Sequence, residues 1–396
     1  MTATVAPPQV QVASRATYGA FIGAGFAFAS WASRIPQVRD GLHLDPSELG
    51  LVLLAVAAGS VIALPLAGPV VTRLGSRRTV AAMAVLLGIG LAGAALGYLV
   101  GVLPVVLGLF VLGFGNGAWD VAMNVQGALV ERHLGYSIMP RYHAGFSVGT
   151  VGGALLGALM VALKVPVTAH LCGVAVVAAV LVPLAVRGFI ADADEADPDP
   201  DVAEIGHFAA WTEPRTLLIG VFVLAFAFAE GTGNDWISVA VIDGYDTPAA
   251  VGTLAFAAFL TAMTAGRWAG PRLLDRYGRV PVIRALTLLA LAGLALFVFG
   301  QWAPLAFAGA LMWGVGVSLG FPVGMSAGAD EPARAASRVS VIASIGYCAF
   351  LGGPPLVGFL GQRFTVLRGV LAVAVLLAVA SLVVNSIRER GSATEA

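Results

Sequence analysis

Two acidic residues lie deep inside apolar stretches of the sequence, where a charge needs a specific reason. Glu230 lies in FAFAEGTGNDW, with Asn234 four residues later, and Asp120 lies in NGAWDVAMNVQG, with Asn124 four residues later. Residues four apart share a helical face, so each stretch predicts an acid beside an amide. Burial disfavours the charged form of a carboxyl group, which lets such an acid take up and release a proton.

Glu230 and Asp120 are therefore predicted proton-coupling sites, and the two could also divide proton and substrate between them. Asn124 and Asn234 are predicted substrate contacts on the same faces. A purely structural alternative stays open for each acid. Glu230 could be a permanently paired carboxylate, and Asp120 could simply neutralise Arg34.

Arg34 lies towards the outer third of its helix, 200 positions before Asn234. Segments of the sequence recur at this offset, so the two residues occupy equivalent positions. The guanidinium of Arg34 could bind a substrate oxygen, lower the pKa of a nearby acid, or close an outer gate by pairing with Asp235. The equally plain alternative is that the side chain snorkels to the outer interface. Asp235 is five residues after Glu230, about 140° around the helix, so it is predicted in an outer vestibule or gate. His143 begins a helix beside a basic loop, where it could sense the inner side or simply be solvated.

Four tryptophans fall on the first, fourth, seventh and tenth predicted helices. The first, fourth and seventh of these helices also carry polar residues named above. Flat indole rings stack on the apolar faces of ring-shaped solutes, so the four are predicted substrate contacts. The alternative for some of them is the aromatic belt at the membrane interface. They are Trp31, Trp119, Trp236 and Trp313.

The composition requires elements that cross a membrane. The chain of 396 residues is 59% hydrophobic and only 11% charged, with zero formal net charge, so no nucleic-acid partner is expected. A lipid bilayer is the predicted surrounding, and about 20 apolar residues make one pass. Apolar runs predict twelve helices, at 16–36, 47–71, 79–100, 103–130, 142–163, 167–188, 215–240, 249–271, 281–300, 304–328, 338–362 and 367–387.

An acidic segment divides these helices into two sets of six. The stretch ADADEADPDPDVAEIGH cannot bury a core and predicts a solvated cytoplasmic linker at 189–214, between domains 1–188 and 215–396. Matching segments recur at an offset of about 200 residues, for example GGALLG and GGPPLVG. This offset predicts two related six-helix bundles. Most basic residues lie inside when both termini are placed in the cytoplasm.

The turn after the second predicted helix resembles the signature of the major facilitator superfamily, which has an aspartate before the arginine. GPVVTRLGSRR keeps Gly68, Arg73, Gly75 and Arg77 but has Thr72 at the aspartate position. The second copy, GPRLLDRYGR, supplies Asp275, Arg276, Gly278 and Arg279. In this superfamily the turn is similar to a latch between states, so the resemblance implies gating roles for both copies.

A narrower resemblance is to the bacterial inner-membrane branch that includes the YbjJ and MosC proteins. It is carried by SWASRIPQVRD, FAEGTGNDW and LGFPVGMSAGAD. The superfamily resemblance implies an all-α fold of twelve transmembrane helices, with the first, fourth, seventh and tenth lining a cavity that opens alternately to each side.

The function that follows is proton-coupled secondary transport of a small polar solute, such as a sugar, cyclitol or related metabolite, by a monomer. A proton-antiporting exporter of drugs or metabolites is the alternative, and a non-transporting membrane sensor is a third. No phosphate-binding loop, metal-ligand spacing or nucleophile elbow is present in the sequence, so no cofactor, metal or enzyme activity is predicted.

Overall fold

The computed structural model describes residues 7–136, 138–192, 209–331 and 334–389, and these residues form helices without any strand. Long apolar segments satisfy their backbone hydrogen bonds internally as helices, which is the form that a membrane requires. The helices are α1 (Pro8–Ala32), α2 (Ile35–Gly41), α3 (Pro46–Gly97), α4 (Val102–Leu134), α5 (Met139–Ala162), α6 (Val167–Ala185), α7 (Pro214–Tyr245), α8 (Ala249–Tyr277), α9 (Arg279–Phe299), α10 (Ala303–Val317), α11 (Gly320–Gly328), α12 (Ala335–Arg363), α13 (Val366–Gly369) and α14 (Ala372–Val383). Short 3₁₀ segments lie at Val186–Gly188, Ala209–Thr212 and Val384–Ile387.

Ten helical segments in the described ranges are long and apolar enough to cross a membrane. An all-helical, multi-pass membrane protein is therefore confirmed. The segments are Pro46–Gly97, Val102–Leu134, Met139–Ala162, Val167–Gly188, Pro214–Tyr245, Ala249–Tyr277, Arg279–Phe299, Ala303–Gly328, Ser337–Arg363 and Val366–Ile387.

Helix α3 joins two of the predicted helices with almost no loop between them. It has 52 residues, or about 78 Å at the usual helical rise, which is more than twice the thickness of a bilayer core. Gly75 interrupts it with φ 80° and ψ 156°, a backbone conformation that glycine adopts without steric cost. The sequence predicts a non-helical gap over residues 72–78, which is too long. In the structure Gly75 alone interrupts the helix.

Two predicted helices are broken where the structure has a proline. The run 16–36 ends early, because α1 stops at Ala32 and α2 begins at Ile35, just before Pro36. The run 304–328 divides at Ser318 and Leu319, between α10 and α11, and Pro322 follows. Proline lacks the N–H that a continuous helix would use, so both breaks have a local cause.

The chain divides into two compact units: residues 1–195 with 248–257, and residues 196–247 with 258–396. In unit 1, α3 packs against α4 and α6, and α1 packs against α5. In unit 2, α7 packs against α12 and α14, and α9 packs against α10. The predicted boundaries at 1–188, 189–214 and 215–396 stay a prediction, and residues 193–208 of that linker lie outside the described residues.

Glycines allow the closest helix contacts in unit 1, because small residues let two helix backbones approach each other. A methyl group built on Gly113 of α4 would lie 2.0 Å from the carbonyl oxygen of Val56 in α3. The same test at Gly25 of α1 gives 2.2 Å to the carbonyl oxygen of Phe146 in α5. These backbones approach so closely that no side chain fits between them.

Candidate functional site

Glu230 forms an ion pair with Arg267 through both of its carboxylate oxygens. This pairing was not predicted from the sequence. Both carboxylate oxygens of Glu230 accept from Arg267 Nη2, at 3.0 and 2.9 Å. Glu230 lies 16 residues into α7, about 24 Å from its start and close to the middle of the helix. The two side chains keep 20% and 26% of their surface exposed, so the pair is accessible rather than sealed.

Asp120 lies at the corresponding depth in α4 of unit 1, beside the amide predicted to accompany it. Asn124 Nδ2 donates to the backbone oxygen of Asp120 at 2.8 Å and to its Oδ1 at 3.3 Å. Among the described residues no arginine or lysine forms an ion pair with Asp120. The alternative in which Asp120 neutralises Arg34 is therefore not the arrangement found here, because the partners of Arg34 lie elsewhere.

Arg34 is buried, with 2% of its surface exposed, so the snorkelling alternative is wrong. It stands at the break between α1 and α2, where its Nε donates to His170 Nδ1 at 2.9 Å and its Nη2 donates to the oxygen of Val165 at 3.0 Å. Because His170 Nδ1 accepts, this ring is neutral and carries its proton on Nε2. That Nε2 is buried without a partner in the described part of the chain.

Asn234 and Asp235 follow Glu230 by about one helical turn in α7. Both side chains are partly buried. Asn234 Oδ1 is a buried oxygen without a hydrogen-bond partner among the described residues, and so is Thr232 Oγ1. The unpaired oxygens of Asn234 and Thr232 could each accept a hydrogen bond from a solute. A substrate contact for Asn234 and a gate position for Asp235 stay predictions.

The four tryptophans proposed as substrate contacts are buried in their own units. Trp119, Trp236 and Trp313 have no exposed surface, and Trp31 has 3%. Trp313 packs edge-on against Phe259 and Phe297, with ring centroids 5.4 and 5.8 Å away. Their predicted role in stacking stays a prediction, because the rings are covered in this structure.

The indole N–H groups of three of these tryptophans lack acceptors within the described residues. They belong to Trp119, Trp236 and Trp313. A buried donor without a partner costs about 1–3 kcal/mol, so each position offers a favourable hydrogen bond to any acceptor that reaches it. Hydrogen bonds from these indole N–H groups to a polar solute stay a prediction.

The first copy of the latch turn is held by an aspartate from outside the signature. Asp192 accepts from the backbone N–H of Ser76, directly after Gly75, and its Oδ1 accepts from Ser76 Oγ at 2.7 Å. Arg73 and Arg77 are exposed, and Thr72 Oγ1 donates to the oxygen of Gly68 at 3.1 Å. A carboxylate therefore does reach this turn, although Thr72 cannot supply it.

The second copy has the same geometry at its glycine and a different acidic partner. Gly278 has φ 78°, close to the value of its counterpart in α3. Arg279 follows it and donates to Asp330 Oδ1 at 2.8 Å, while Asp275 and Arg276 are exposed. In both units, the residue after the corner glycine is thus bound by an aspartate that the signature does not contain.

Asp330 also binds Arg215, and this arginine connects the start of α7 to the residues that follow α14. Arg215, near the start of α7, donates to Asp330 Oδ2 at 2.8 Å. The same guanidinium donates to the backbone oxygens of Ser386 and Arg388, at 2.9 and 3.0 Å. One arginine therefore joins α7 to the last described residues of the unit.

A second charged cluster surrounds Glu213 at the start of α7. Arg338 Nε donates to Glu213 at 2.6 Å, and Arg334 Nη1 donates at 3.1 Å. The hydrogen bond from Arg338 is the largest contribution that lowers the pKa of Glu213 to about 2, and Thr216 adds a further donor. Glu213 is thus a firmly ionised carboxylate.

This cluster was not predicted from the sequence, although the repeat offset of 200 residues indicates one of its acids. Glu331 forms an ion pair with Arg338 at 2.9 Å. Glu131, which lies 200 positions earlier, accepts from the backbone N–H groups of Ile138 and Met139, at 2.6 and 2.8 Å. Both acids hold the start of the following helix, and the repeat offset pairs them.

His143 is exposed near the start of α5, with its ring edge-on to Phe21 at a centroid distance of 5.2 Å. Its exposure is compatible with both the sensing and the solvated interpretation. A sensing role stays a prediction.

Long apolar helices, one of them with an acid at mid-helix that is paired with an arginine, together define a multi-pass membrane protein. Residues 17–354 match the model of the Major Facilitator Superfamily. The transporter y4wD of Sinorhizobium fredii is 30% identical over 353 residues, covering 89% of this chain and 92% of the relative. The membrane protein MosC of Rhizobium meliloti is 29% identical over 372 residues, covering 90% and 86%. The chain belongs to the major facilitator superfamily.

Solved transporter structures share the fold. The nucleoside transporter NupG aligns with a TM-score of 0.75 at 16% identity, covering 94% of this chain and 99% of that chain. The fucose:proton symporter FucP of E. coli aligns with a TM-score of 0.60 at 13% identity, covering 94% and 98%.

Proposed function

We propose that this protein is a proton-coupled secondary transporter of a small polar organic solute, such as a sugar, cyclitol or related metabolite. The observation that carries the proposal is the pair of Glu230 and Arg267 at the middle of α7. An ionisable pair at that depth is costly in a membrane and usually marks an ion or substrate pathway. Proton uptake by Glu230 would remove its attraction for Arg267, which gives the carrier two states with different contacts.

The proposed architecture has twelve passes in two six-helix bundles. Ten segments of the described chain are long and apolar enough to span a membrane. One of them, α3, is long enough for two passes around Gly75, and α1, with 25 residues, supplies the remaining pass. Both termini are proposed to lie in the cytoplasm, with the monomer in the bacterial inner membrane. Rocking of the bundles would expose the site alternately to the two sides.

The proposed substrate class follows from the uncharged polar groups near Glu230. Asn234 and Thr232 have buried oxygens, and Trp236 has a buried N–H, that lack partners in the described chain. These groups suit hydroxyl groups of a solute, which both donate and accept hydrogen bonds. Fucose and nucleosides, named for two structural neighbours, both contain a sugar ring and are suitable first candidates.

Asp120 is the proposed second proton site or substrate contact. It lies at mid-helix in α4 and hydrogen-bonds to Asn124, so it repeats in unit 1 the acid and amide of α7. Arg34 is proposed to contact substrate oxygens once the outer side opens, since its present partners, His170 and the carbonyl of Val165, are both uncharged.

Transport into liposomes tests the proposal. The purified protein is reconstituted with a pH-sensitive dye inside, and a hexose, a nucleoside and a cyclitol are added outside in turn. We expect at least one of them to drive proton movement, and we expect Glu230→Gln with Asp120→Asn to abolish it. Asp246→Asn is the matched control, because Asp246 is exposed at the end of the same helix and asparagine tolerates its φ of 49°.

Two outcomes would count against the proposal. Undiminished solute-driven proton movement in the double variant would exclude coupling through these acids. Flux driven by lipophilic cations alone would favour the exporter alternative instead.

A further inference from the structure

Arg34 is a buried cation whose two hydrogen-bond partners in unit 1 are uncharged. It donates to His170 Nδ1 and to the backbone oxygen of Val165, and only 2% of its surface is exposed. In the described part of the chain no aspartate or glutamate forms an ion pair with it. A guanidinium stays charged in a protein, and a buried charge is costly unless an opposite charge compensates it. The position therefore favours the binding of an anion.

The guanidinium of Arg34 keeps N–H donors for such an anion. Of the five N–H groups of an arginine, Nε uses one and Nη2 uses one, so three remain. These are the two on Nη1 and the second one on Nη2. Two parallel N–H groups of one guanidinium match the two oxygens of a carboxylate. His170 and Val165 thus hold the side chain in place without using up its donors.

Gln37 adds a buried amide one helical turn after Arg34, in α2. Its Oε1 and its Nε2 are both buried, and neither has a hydrogen-bond partner among the described residues. Residues three apart share a helical face, which places this amide on the side of Arg34. An amide both donates and accepts, and so does a hydroxyl group. A molecule with a hydroxyl group close to a carboxylate would therefore satisfy both side chains.

The repeat argues against a purely structural role for these polar residues of unit 1. The residues that lie 200 positions later are uncharged, and they are Asn234, Ile237 and Val370. Buried ionic groups are often replaceable by neutral residues without loss of stability. Unit 2 therefore manages without a buried arginine at this place, and a ligand gives a reason for the arginine in unit 1.

We propose that Arg34 and Gln37 bind the carboxylate and a hydroxyl group of the transported solute, so that this solute is a small hydroxy acid such as a sugar acid. The inference rests on the proposed function, because it names the class of solute within it. His170 is a positioning residue, since it accepts from Nε of Arg34 and so orients the guanidinium. Because Arg34 is buried in this structure, the solute would reach it when the carrier opens to the outside.

Isothermal titration calorimetry of the full-length protein in detergent tests the site without transport. The probes are glycerate, threonate and gluconate. Each is compared with the alcohol that has the same chain of hydroxyl groups and CH₂OH in place of the carboxylate: glycerol, threitol and sorbitol. Sodium chloride at the same ionic strength is the inorganic anion. We expect at least one acid to bind, and we expect its alcohol and chloride not to bind.

Arg34→Gln removes the charge that the carboxylate needs. We expect it to weaken binding of the acid by about tenfold or more, because hydrogen bonds to charged groups are the strong ones. Arg368→Gln is the matched control, since Arg368 is an exposed arginine in α13, and we expect its affinity to equal that of the wild type. The inference would be overturned if no acid binds, if an acid and its alcohol bind equally well, or if chloride binds as tightly as the acid.

A second variant decides the matter if Arg34→Gln does not fold. Gln37→Leu keeps the size of the side chain and breaks no hydrogen bond within the described chain, so we expect an unchanged or higher melting temperature. We expect the acid to bind about fivefold more weakly, whereas Gln362→Leu, at an exposed glutamine of α12, should leave the affinity unchanged. A lower melting temperature with unchanged affinity would show a structural role and would overturn the inference.

Failure of the proposed function gives a different result. A hydroxy acid that binds in the calorimeter but drives no proton movement in the dye assay would support this site and refute proton coupling. Proton movement driven by a hexose or a nucleoside, with no acid bound, would support the proposed function and overturn the inference.

Discussion

Replacing Glu213 by glutamine removes the charge at the centre of a cluster that joins α7 to α12. The side chain keeps its size, but Arg338, of which only 7% is exposed, loses its shortest ionic contact. Arg338 keeps its second ion pair, with Glu331 at 2.9 Å, but it loses one of the two carboxylates that compensate its buried charge, which is destabilising. We therefore expect Glu213→Gln to unfold at lower temperature than the wild type.

The size of the effect follows from the pKa of Glu213. A pKa lowered from 4.5 to about 2 corresponds to roughly 3 kcal/mol in the free energy of unfolding. This value is an upper limit, because 24% of the side chain is exposed to solvent. The stabilisation is fully present above pH 4.5 and is lost as the pH falls towards 2, because only the ionised carboxylate binds both arginines.

Unfolding in detergent micelles at pH 7 and at pH 3 measures this contribution. The control is Glu389→Gln, because Glu389 is 63% exposed and lies 3.8 Å from Arg279 Nε, so its pair should contribute little. We expect Glu213→Gln to be clearly less stable than this control at pH 7 and the gap to narrow at pH 3. Equal stability of the two variants at pH 7, or a gap that is undiminished at pH 3, would refute the reasoning.

Two further changes test the packing and the corner of unit 1. Gly113→Ala places a methyl group against the oxygen of Val56 and should lower the free energy of unfolding by about 1–3 kcal/mol. Gly173→Ala is its control in the same thermal assay. Because no atom lies within 4 Å of the added methyl group, this variant should be neutral or slightly stabilised. Asp192→Ala removes the acceptor for the N–H of Ser76 and should cost about 1 kcal/mol, and a melting temperature equal to the wild type would contradict that role.

The sequence was sufficient to predict where the acids lie along their helices but not what they contact. Glu230 and Asp120 lie at mid-helix as predicted, because depth depends only on counting residues. The pairing of Glu230 with Arg267 depends on the rotation of α7 and α8 about their axes. Helices that are apolar on all sides carry little periodic signal for that rotation, so the sequence does not identify Arg267 as the partner of Glu230.

The charged contacts of the turns were harder to predict, because their partners are distant in sequence. Thr72 stands where the superfamily signature has an aspartate, and the composition of the acidic segment after α6 predicts a solvated linker. Asp192, near the start of that segment, instead binds Ser76, which is 116 residues away. Composition predicts solvation for a run of acids, but a single acid near an unpaired helix N-terminus gains hydrogen bonds by docking there.

The contacts of Arg215 have a consequence for how this protein is made. Its guanidinium holds the backbone oxygens of Ser386 and Arg388, more than 170 positions later. Ser386 and Arg388 are translated after all the helices from α7 to α14, so these two hydrogen bonds can form only once that whole set of helices has been synthesised. Closure of this contact is therefore a late event in the biosynthesis of unit 2.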